Sequence, residues 1–306
     1  MQIITDILKY DKVLCAATIG SFDGVHQGHL AMLAELRAVA SAKALPLMVV
    51  TFATHPRMLF DKECAPFLLT PSCEKVKLLE AAGVDICVLL DFNRDMAALS
   101  ARRFMQDVLV ERLGVQLLAV GYDHHFGKPA TGEGLEQYIA YGKELGVKVF
   151  GTQPFFIDGV AVSSSAVRRA LSDGDVALSA RLLGRCYSLQ GTVVRGAGIG
   201  RVLGFPTANL APVDVEQIIP LDGVYETDVT VDGKRFKGVM NIGVKPTVSG
   251  KERTFEVHII GFEGDIYEKD ITVQFVRRLR GEQSFENVNA LRFQIEVDVA
   301  RVKRGI

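Results

Sequence analysis

The sequence has no excess of charge of either sign. Lysine and arginine together number 35 and aspartate and glutamate 36, so the formal net charge is -1. A chain so balanced has no electrostatic footing for wrapping nucleic acid or lying on an anionic membrane, and neither is expected as a partner. The cluster Arg277-Arg278-Leu279-Arg280 is short and reads as a solvated strand end or a phosphate contact. Paired cysteines are missing as well. The five present (Cys15, Cys64, Cys73, Cys87 and Cys186) are scattered, odd in number and without a C-x-x-C pair. That argues against a disulfide framework and against a structural zinc site. Cys15 and Cys87 sit inside apolar runs and read as core residues. No apolar run is long enough to span a bilayer, and no basic segment followed by a short apolar one opens the chain. The expected location is the cytoplasm. A glycine-rich loop of the form G-x-x-x-x-G-K followed by Ser or Thr occurs nowhere, which excludes a P-loop kinase.

What is present reads as two domains, since 306 residues are long for one core. From Val13 to about Phe150, continuous apolar runs alternate with amphipathic stretches. Strands are expected at Val13–Ile19, Leu47–Phe52, Ile86–Asp91, Leu117–Gly121 and Val147–Phe150. Helices are expected at Gly28–Lys43, Ser72–Ala82, Ser100–Leu113 and Gly134–Leu145. Strands apolar throughout, alternating with helices, imply an α/β unit whose parallel sheet is covered on both faces. After Leu182-Leu183-Gly184-Arg185 the runs become short, alternating and β-branched, as in Tyr187–Val194, Val224–Val231, Phe236–Ile242, Thr254–Ile260 and Ile271–Val276. Val231-Asp232-Gly233-Lys234 is a hairpin turn. This half reads as an antiparallel barrel or sandwich, closed by a helix from Ser284, its expected cap, to Val302. The expected domains are 1–184 and 185–306.

Chemistry concentrates where strands end. Thr18 to His29 crosses from the first strand into the first helix. A helix N-terminus there offers free N–H groups and a positive dipole end to an anion. Gly24 and Gly28 would admit phosphate oxygens close to the backbone. His26 and His29, three apart, would face the same space and suit a developing charge on a transferring phosphoryl group. Loops after the second and fourth strands carry Thr51-Phe52-Ala53-Thr54-His55-Pro56 and Gly121-Tyr122-Asp123-His124-His125-Phe126-Gly127. Ligands of parallel sheets bind beyond these strand ends. In Val162-Ser163-Ser164-Ser165-Ala166-Val167-Arg168, serines cap a helix, and Arg168 follows Ser164 by one turn. A hydroxyl, helix amides and a guanidinium together make a phosphate grip.

Gly20 to His29 resembles the G-x-F-D-G-x-H-x-G-H signature of bacterial bifunctional riboflavin kinase/FAD synthetases, whose H-x-G-H core marks the nucleotidyltransferase superfamily. Val162–Arg168 is similar to that family's I-S-S-T-x-x-R, with Ser165 in place of Thr. Gly196-Ala197-Gly198-Ile199-Gly200-Arg201-Val202-Leu203-Gly204-Phe205-Pro206-Thr207-Ala208-Asn209 resembles its kinase signature, a glycine-rich loop ending in P-T-A-N. The resemblance implies a Rossmann-like nucleotidyltransferase domain followed by an antiparallel β-barrel riboflavin kinase domain with a C-terminal helix. It implies that Gly20, Phe22, Asp23, Gly24 and Gly28 in the first half contact ATP. In the second half it assigns that role to Gly196, Gly200, Gly204, Pro206, Thr207 and Asn209. Phe52, His55, Pro56, Asp123, Phe126 and Arg292 would bind flavin.

Thr207 and Asn209 offer hard oxygen ligands for Mg²⁺, which bridges phosphates in such sites. Glu256, in Thr254-Phe255-Glu256-Val257-His258, would take the proton of the attacking hydroxyl. His26, His29, Ser164 and Arg168 would stabilise adenylyl transfer. The implied activity is phosphorylation of riboflavin to FMN and adenylylation of FMN to FAD, with ATP as co-substrate and Mg²⁺ as cofactor. Small molecules are the expected partners, and homo-oligomerisation is left open. A transferase acting on another phosphate ester, or a flavin- or nucleotide-binding regulator with inactive sites, are the alternatives. On the two-site reading, His29→Ala lowers FAD formation by roughly 100-fold or more and leaves FMN formation intact. Chromatographic separation of the two products checks this, and equal loss of both would refute two sites.

Overall fold

Cys15–Ile19 and Leu47–Phe52 are buried at every position in the computed structural model, which describes residues 1–55, 67–122, 126, 134–196, 198–247 and 250–305. They are β2 and β3 of a six-stranded sheet with β1 (Gln2–Ile4), β4 (Ile86–Leu90), β5 (Val115–Val120) and β6 (Lys148–Gly151). The order is β1-β4-β3-β2-β5-β6, and every pair is parallel. Alternate residues of one strand serve two cores. Ala17, Val50 and Val88 face Phe104, Met105 and Tyr138. Ala16, Val49 and Cys87 face Leu33 and Leu36 of the helix Gln27–Ser41 and Leu79 of the helix Ser72–Ala81. This two-sided burial is why the strands read as unbroken apolar runs. The chain winds from β2 through β3 to β4, then returns to place β5 on β2's other side. The strand order reverses there, so a crevice opens beyond the carboxyl end of β2.

The chain divides by its contacts into units Met1–Ser164 and Ser165–Ile306. In the second, β9 (Tyr187–Val194), β10 (Ala208–Pro212), β11 (Gly223–Val231), β12 (Lys234–Thr247), β13 (Gly250–Ile259) and β14 (Asp270–Arg280) form a closed barrel in the order β10-β13-β12-β11-β14-β9. All pairings are antiparallel. Between barrel and sandwich, the β9–β10 ladder decides for the barrel, because it joins the two ends of the sheet and leaves no edge. The turn at Asp232-Gly233 has positive φ at both residues (47° and 75°), as a two-residue hairpin requires. The helix Val288–Arg304 packs Val299 and Val302 on Val224 and Val239 of the barrel.

Several expectations are corrected. The first long strand starts at Cys15, not Val13. Gly114 (φ 73°) presses against the Val13 carbonyl, and Val13 and Leu14 turn outward, 45% and 56% exposed. The helix expected at Ser100–Leu113 begins as Ala101–Arg103, capped by Ser100, and then widens to π geometry over Phe104–Arg112. That winding lays Phe104, Met105, Val108 and Leu109 on the sheet. Strands β1 and β10, the helices Arg94–Ala98 and Val176–Leu183, and the hairpin pair β7 (Phe156–Ile157) and β8 (Val160–Ala161) add to the expected elements. Most are too short for a hydrophobic period to repeat.

The last helix is capped by Asn287, not Ser284: the Asn287 side chain accepts the Ala290 N–H at 2.9 Å. Asn287→Ala therefore costs about 1 kcal/mol of barrel-unit stability, read as a lower urea midpoint with an unchanged slope. An unshifted midpoint would show that the first turn is held by packing alone.

Candidate active sites

The turn after β2 lies at the reversal of strand order. The Gly20 N–H still donates to Val50 O (3.0 Å), and the backbone then bends through positive φ at Phe22 (50°), Gly24 (86°) and Val25 (37°). Two of these three are not glycine, so the bend is strained, and the burial of Phe22 and Val25 in the core holds it. It ends at His26, which caps the helix Gln27–Ser41. His26 Nδ1 accepts the His29 N–H at 3.2 Å, which leaves the ring proton on Nε2. The His29 ring stacks on His26 with centroids 3.6 Å apart, and Phe22 backs it at 4.7 Å. Gly28 is explained by packing. A Cβ there would lie 3.2 Å from both His26 Nδ1 and Val162 O, so the glycine clears space for the imidazole rather than for phosphate alone.

Asp23 is 2% exposed. Its carboxylate accepts N–H groups of Leu69 (2.9 and 3.1 Å) and Thr70 (3.1 Å), and its carbonyl accepts the Ser164 hydroxyl at 2.8 Å. These contacts build the turn. Ser164 opens the helix Ser164–Ser172, and Arg168 follows one turn along it. Phe52 and Phe126 are core aromatics: Phe52 meets Phe92 edge-on at 5.2 Å, and Phe126 stacks on Tyr138 at 4.4 Å. His55 is half-buried beside Phe67 (4.9 Å). Pro56, Asp123, His124 and His125 lie outside the described residues. Burial pushes the Cys15 thiol up to about 12 and the Cys87 thiol up to about 11, so both are inert core groups.

Lys75 is a residue the motifs did not supply. Its ammonium is buried at the ends of β2 and β3 and donates to Ser21 O (3.3 Å), Thr51 Oγ1 (3.3 Å) and Phe52 O (2.8 Å). The sequence signal is its helical spacing from Leu79, which is fully buried.

In the barrel unit, the glycines of the long motif are sites of close approach. Any Cβ at Gly196 would overlap the Asn209 carboxamide, and one at Gly200 would overlap Phe205 O and crowd Thr207. Gly204, with φ 87°, turns the chain back toward Pro206. The segment Pro206–Asn209 is thereby pinned against β13. Asn209 pairs directly with Glu256 across the ladder, and Thr207 Oγ1 donates to Glu256 Oε2 at 3.3 Å. His258, on the same strand face as Glu256, donates from Nδ1 to Pro206 O at 2.9 Å.

Two cavities of about 340 Å³ each share Thr207. One is walled by Leu203, Phe205, Phe285, Leu291 and Ile295, with Glu256 at its polar part. The other is lined by Arg201, Pro206, Ala208, Phe262, Asp265 and Tyr267. Arg292 is not among the lining residues. It pairs with Glu296 (3.2 Å) on the exposed face of its helix, whereas Leu291 and Ile295 of that helix line the cavity. The arginine cluster is partly exposed, and its members are paired within the chain. Arg277 binds Glu226 (2.7 Å), Arg278 binds Asp222 O (2.8 Å), and Arg280 binds the buried Asp298 (2.9 Å).

A parallel-sheet unit with a His-Gln-Gly-His turn at its switch point, and a closed barrel with a glycine-rich loop pinned on a carboxylate, fit a two-domain nucleotide-using enzyme. Comparison with known proteins agrees for both halves. Residues 9–166 match the FAD synthetase family model, and residues 183–306 match the riboflavin kinase model. The chain is 42% identical over 306 residues to the bifunctional riboflavin kinase/FMN adenylyltransferase of Pseudomonas fluorescens, covering 99% of this chain and 97% of that one. It is 42% identical over 285 residues to the Escherichia coli K12 protein of the same name (93% and 90%). A crystal structure described as a macrolide-efflux protein from Streptococcus pneumoniae superposes with a TM-score of 0.89 at 28% identity, covering 98% of each chain. The chain belongs to the bifunctional riboflavin kinase/FMN adenylyltransferase family.

Asp298 is 1% exposed and pairs with Arg280, whose side chain is 14% exposed. Asp298→Ala strands that guanidinium and costs about 3–5 kcal/mol. The double change Arg280→Met with Asp298→Leu recovers most of the loss. Urea unfolding of the three variants checks this, and equal destabilisation of single and double variants would contradict it.

Proposed function

We propose that the barrel unit phosphorylates the terminal ribityl hydroxyl of riboflavin, and that the parallel-sheet unit then adenylylates the FMN. The two activities follow from membership of the family, and ATP serves both. In the first step the hydroxyl oxygen attacks the ATP γ-phosphorus, its proton passes to Glu256, and ADP leaves. The observation that carries this is the 3.3 Å contact between Thr207 and Glu256 where two cavities meet. Flavin fits the cavity walled by Phe205, Phe285 and Leu291, which joins an apolar side to a polar one carrying Asn241, Glu256 and Arg280. ATP fits the other, where Arg201 supplies a cation.

Thr207, Asn209 and Glu256 bring together a hydroxyl, an amide oxygen and a carboxylate, the hard donors that suit Mg²⁺. Thr207 and Asn209 would hold it, and the ion would offset phosphate charge during transfer. Gly196, Gly200 and Gly204 keep the loop close to these groups.

In the second step an FMN phosphate oxygen attacks the ATP α-phosphorus, and pyrophosphate leaves without a covalent enzyme intermediate. His26 and His29 stabilise the charge that develops, with His26 offering Nε2–H. Ser164 would hold the remaining phosphates, and Arg168 is assigned that role by resemblance alone. Asp23 acts by shaping the turn. Phe52, His55, Pro56, Asp123 and Phe126 are assigned to the flavin by resemblance; Phe52 and Phe126 would act from the core and His55 from its half-buried place. Arg292 acts at most through its helix.

The functional boundary is put at 184/185. The start of the riboflavin kinase match at 183 supports it, although chain contacts divide at 164/165. Among the described residues, no helix is long and apolar enough to cross a membrane. The cytoplasm is the proposed location.

Incubation with riboflavin and MgATP should give FMN first, then FAD with pyrophosphate. Glu256→Gln should lower FMN formation by about 100-fold or more, while FAD formation from supplied FMN stays within about twofold. Loss of both activities together would refute the assignment.

A further inference from the structure

We propose that Lys75 is a positioning residue for adenylyl transfer: its buried ammonium ties the chain leaving β2 to the chain leaving β3, and so holds the turn that carries His26 and His29. The proposal rests on assigning adenylyl transfer to the parallel-sheet unit.

Lys75 sits in the first turn of the helix Ser72–Ala81, on the inward face with Leu79. An ammonium has three N–H donors. Three oxygens receive them: Ser21 O, Thr51 Oγ1 and Phe52 O. Ser21 O lies in the turn that follows β2, Phe52 O is the last carbonyl of β3, and the Thr51 hydroxyl itself donates to Ser21 O at 3.0 Å. The donors are thus spent inside the protein, and Lys75 acts on the reaction through the turn rather than by touching substrate. Two further braces converge on the same segment. Asp23 holds the N–H groups of Leu69 and Thr70, and Ser72 Oγ donates to Ala53 O at 2.7 Å.

A charged brace is an expensive choice for a packing role alone. Burial pulls the Lys75 pKa below the ordinary lysine range, opposed by the field of the Asp23 carboxylate. Three acceptor oxygens around Nζ suit the ammonium form, which would place a positive charge beneath a turn whose reactants are polyphosphates. Because the strained bend at Phe22 and Val25 begins one residue after Ser21, loosening the Ser21 carbonyl loosens the frame that stacks the two imidazoles. Small misplacement of groups that act in the transition state lowers kcat more than it weakens ground-state binding.

The test uses the full chain. FAD formation from supplied FMN and ATP is measured for Lys75→Met, Lys75→Arg and Thr51→Val, with riboflavin phosphorylation in the same preparation as an internal control. Thermal melting fixes an assay temperature at which each variant is folded. Lys75→Met is expected to lower kcat for FAD formation by about 30-fold or more, with KM for ATP within about threefold and FMN formation unchanged. Lys75→Arg should recover part of kcat, since it keeps the cation but not the three-way geometry. Thr51→Val keeps the ammonium, removes one brace and should lower kcat by about three- to tenfold.

A folded Lys75→Met whose kcat is unchanged would overturn the proposal, as would a change confined to KM. If Lys75→Met does not fold, Thr51→Val decides, and an unchanged kcat there overturns it. Wild-type protein that makes FMN but never FAD would overturn the underlying assignment instead.

Discussion

Backbone N–H and C=O groups removed from water have to be paired, and the two units meet that demand in different ways. The first flanks β2 with parallel neighbours on both sides, β3 and β5, so its ladder is complete and both of its faces are covered. Such a strand can be interrupted only at its end. There the donors and acceptors pass to a turn and then to a helix N-terminus, where His26 takes up one free N–H. The turn that carries His26 and His29 is thus a consequence of where the ladder stops. The second unit has no sheet edge because β9 and β10 close it. Asn209 sits on the closing strand, Ala208–Pro212, and Glu256 on the partner across from it. The motif Pro206–Asn209 meets Glu256 because that pairing completes the barrel.

Buried charge marks the places where this framework does more than pack. Asp23, Lys75, Asp298 and Arg280 all lie at element ends or beside cavities, and each is spent on groups of the chain itself. Asp23 and Lys75 brace the loops after β2 and β3. Arg280 and Asp298 lock the last helix to the final barrel strand, and that helix supplies Leu291 and Ile295 to the cavity wall. Removing an ion from water is costly, so an ion held this way fixes one arrangement in preference to near alternatives.

Much of this was legible in the sequence, for physical reasons that can be named. Strands with both faces covered must be apolar throughout, so β2 to β5 stood out, and Tyr187–Val194 was found to the residue. A two-residue turn with positive φ needs Asp-Gly or its like, so the hairpin at Val231–Lys234 was visible. Paired histidines with glycines at a strand-to-helix junction indicated phosphate chemistry, and the resemblance supplied the substrates. Short elements such as Gln2–Ile4 and Arg94–Ala98 were not legible, because no period repeats within them.

Local patterning and residue chemistry by themselves determined the α/β-then-β order, the positions of the principal strands and the motifs Gly20–His29 and Gly196–Asn209. Only the tertiary structure decided between barrel and sandwich, since closure is a pairing of Asn209 with Val194 and Glu256, residues 15 and 47 positions away. It also decided what each conspicuous side chain does. Gly28 gives clearance to an imidazole, Arg280 is spent on Asp298, Arg292 faces solvent, and an unremarked lysine holds two loops together. The physical reason is that a side chain's role depends on which atoms surround it, and those atoms come from distant parts of the chain.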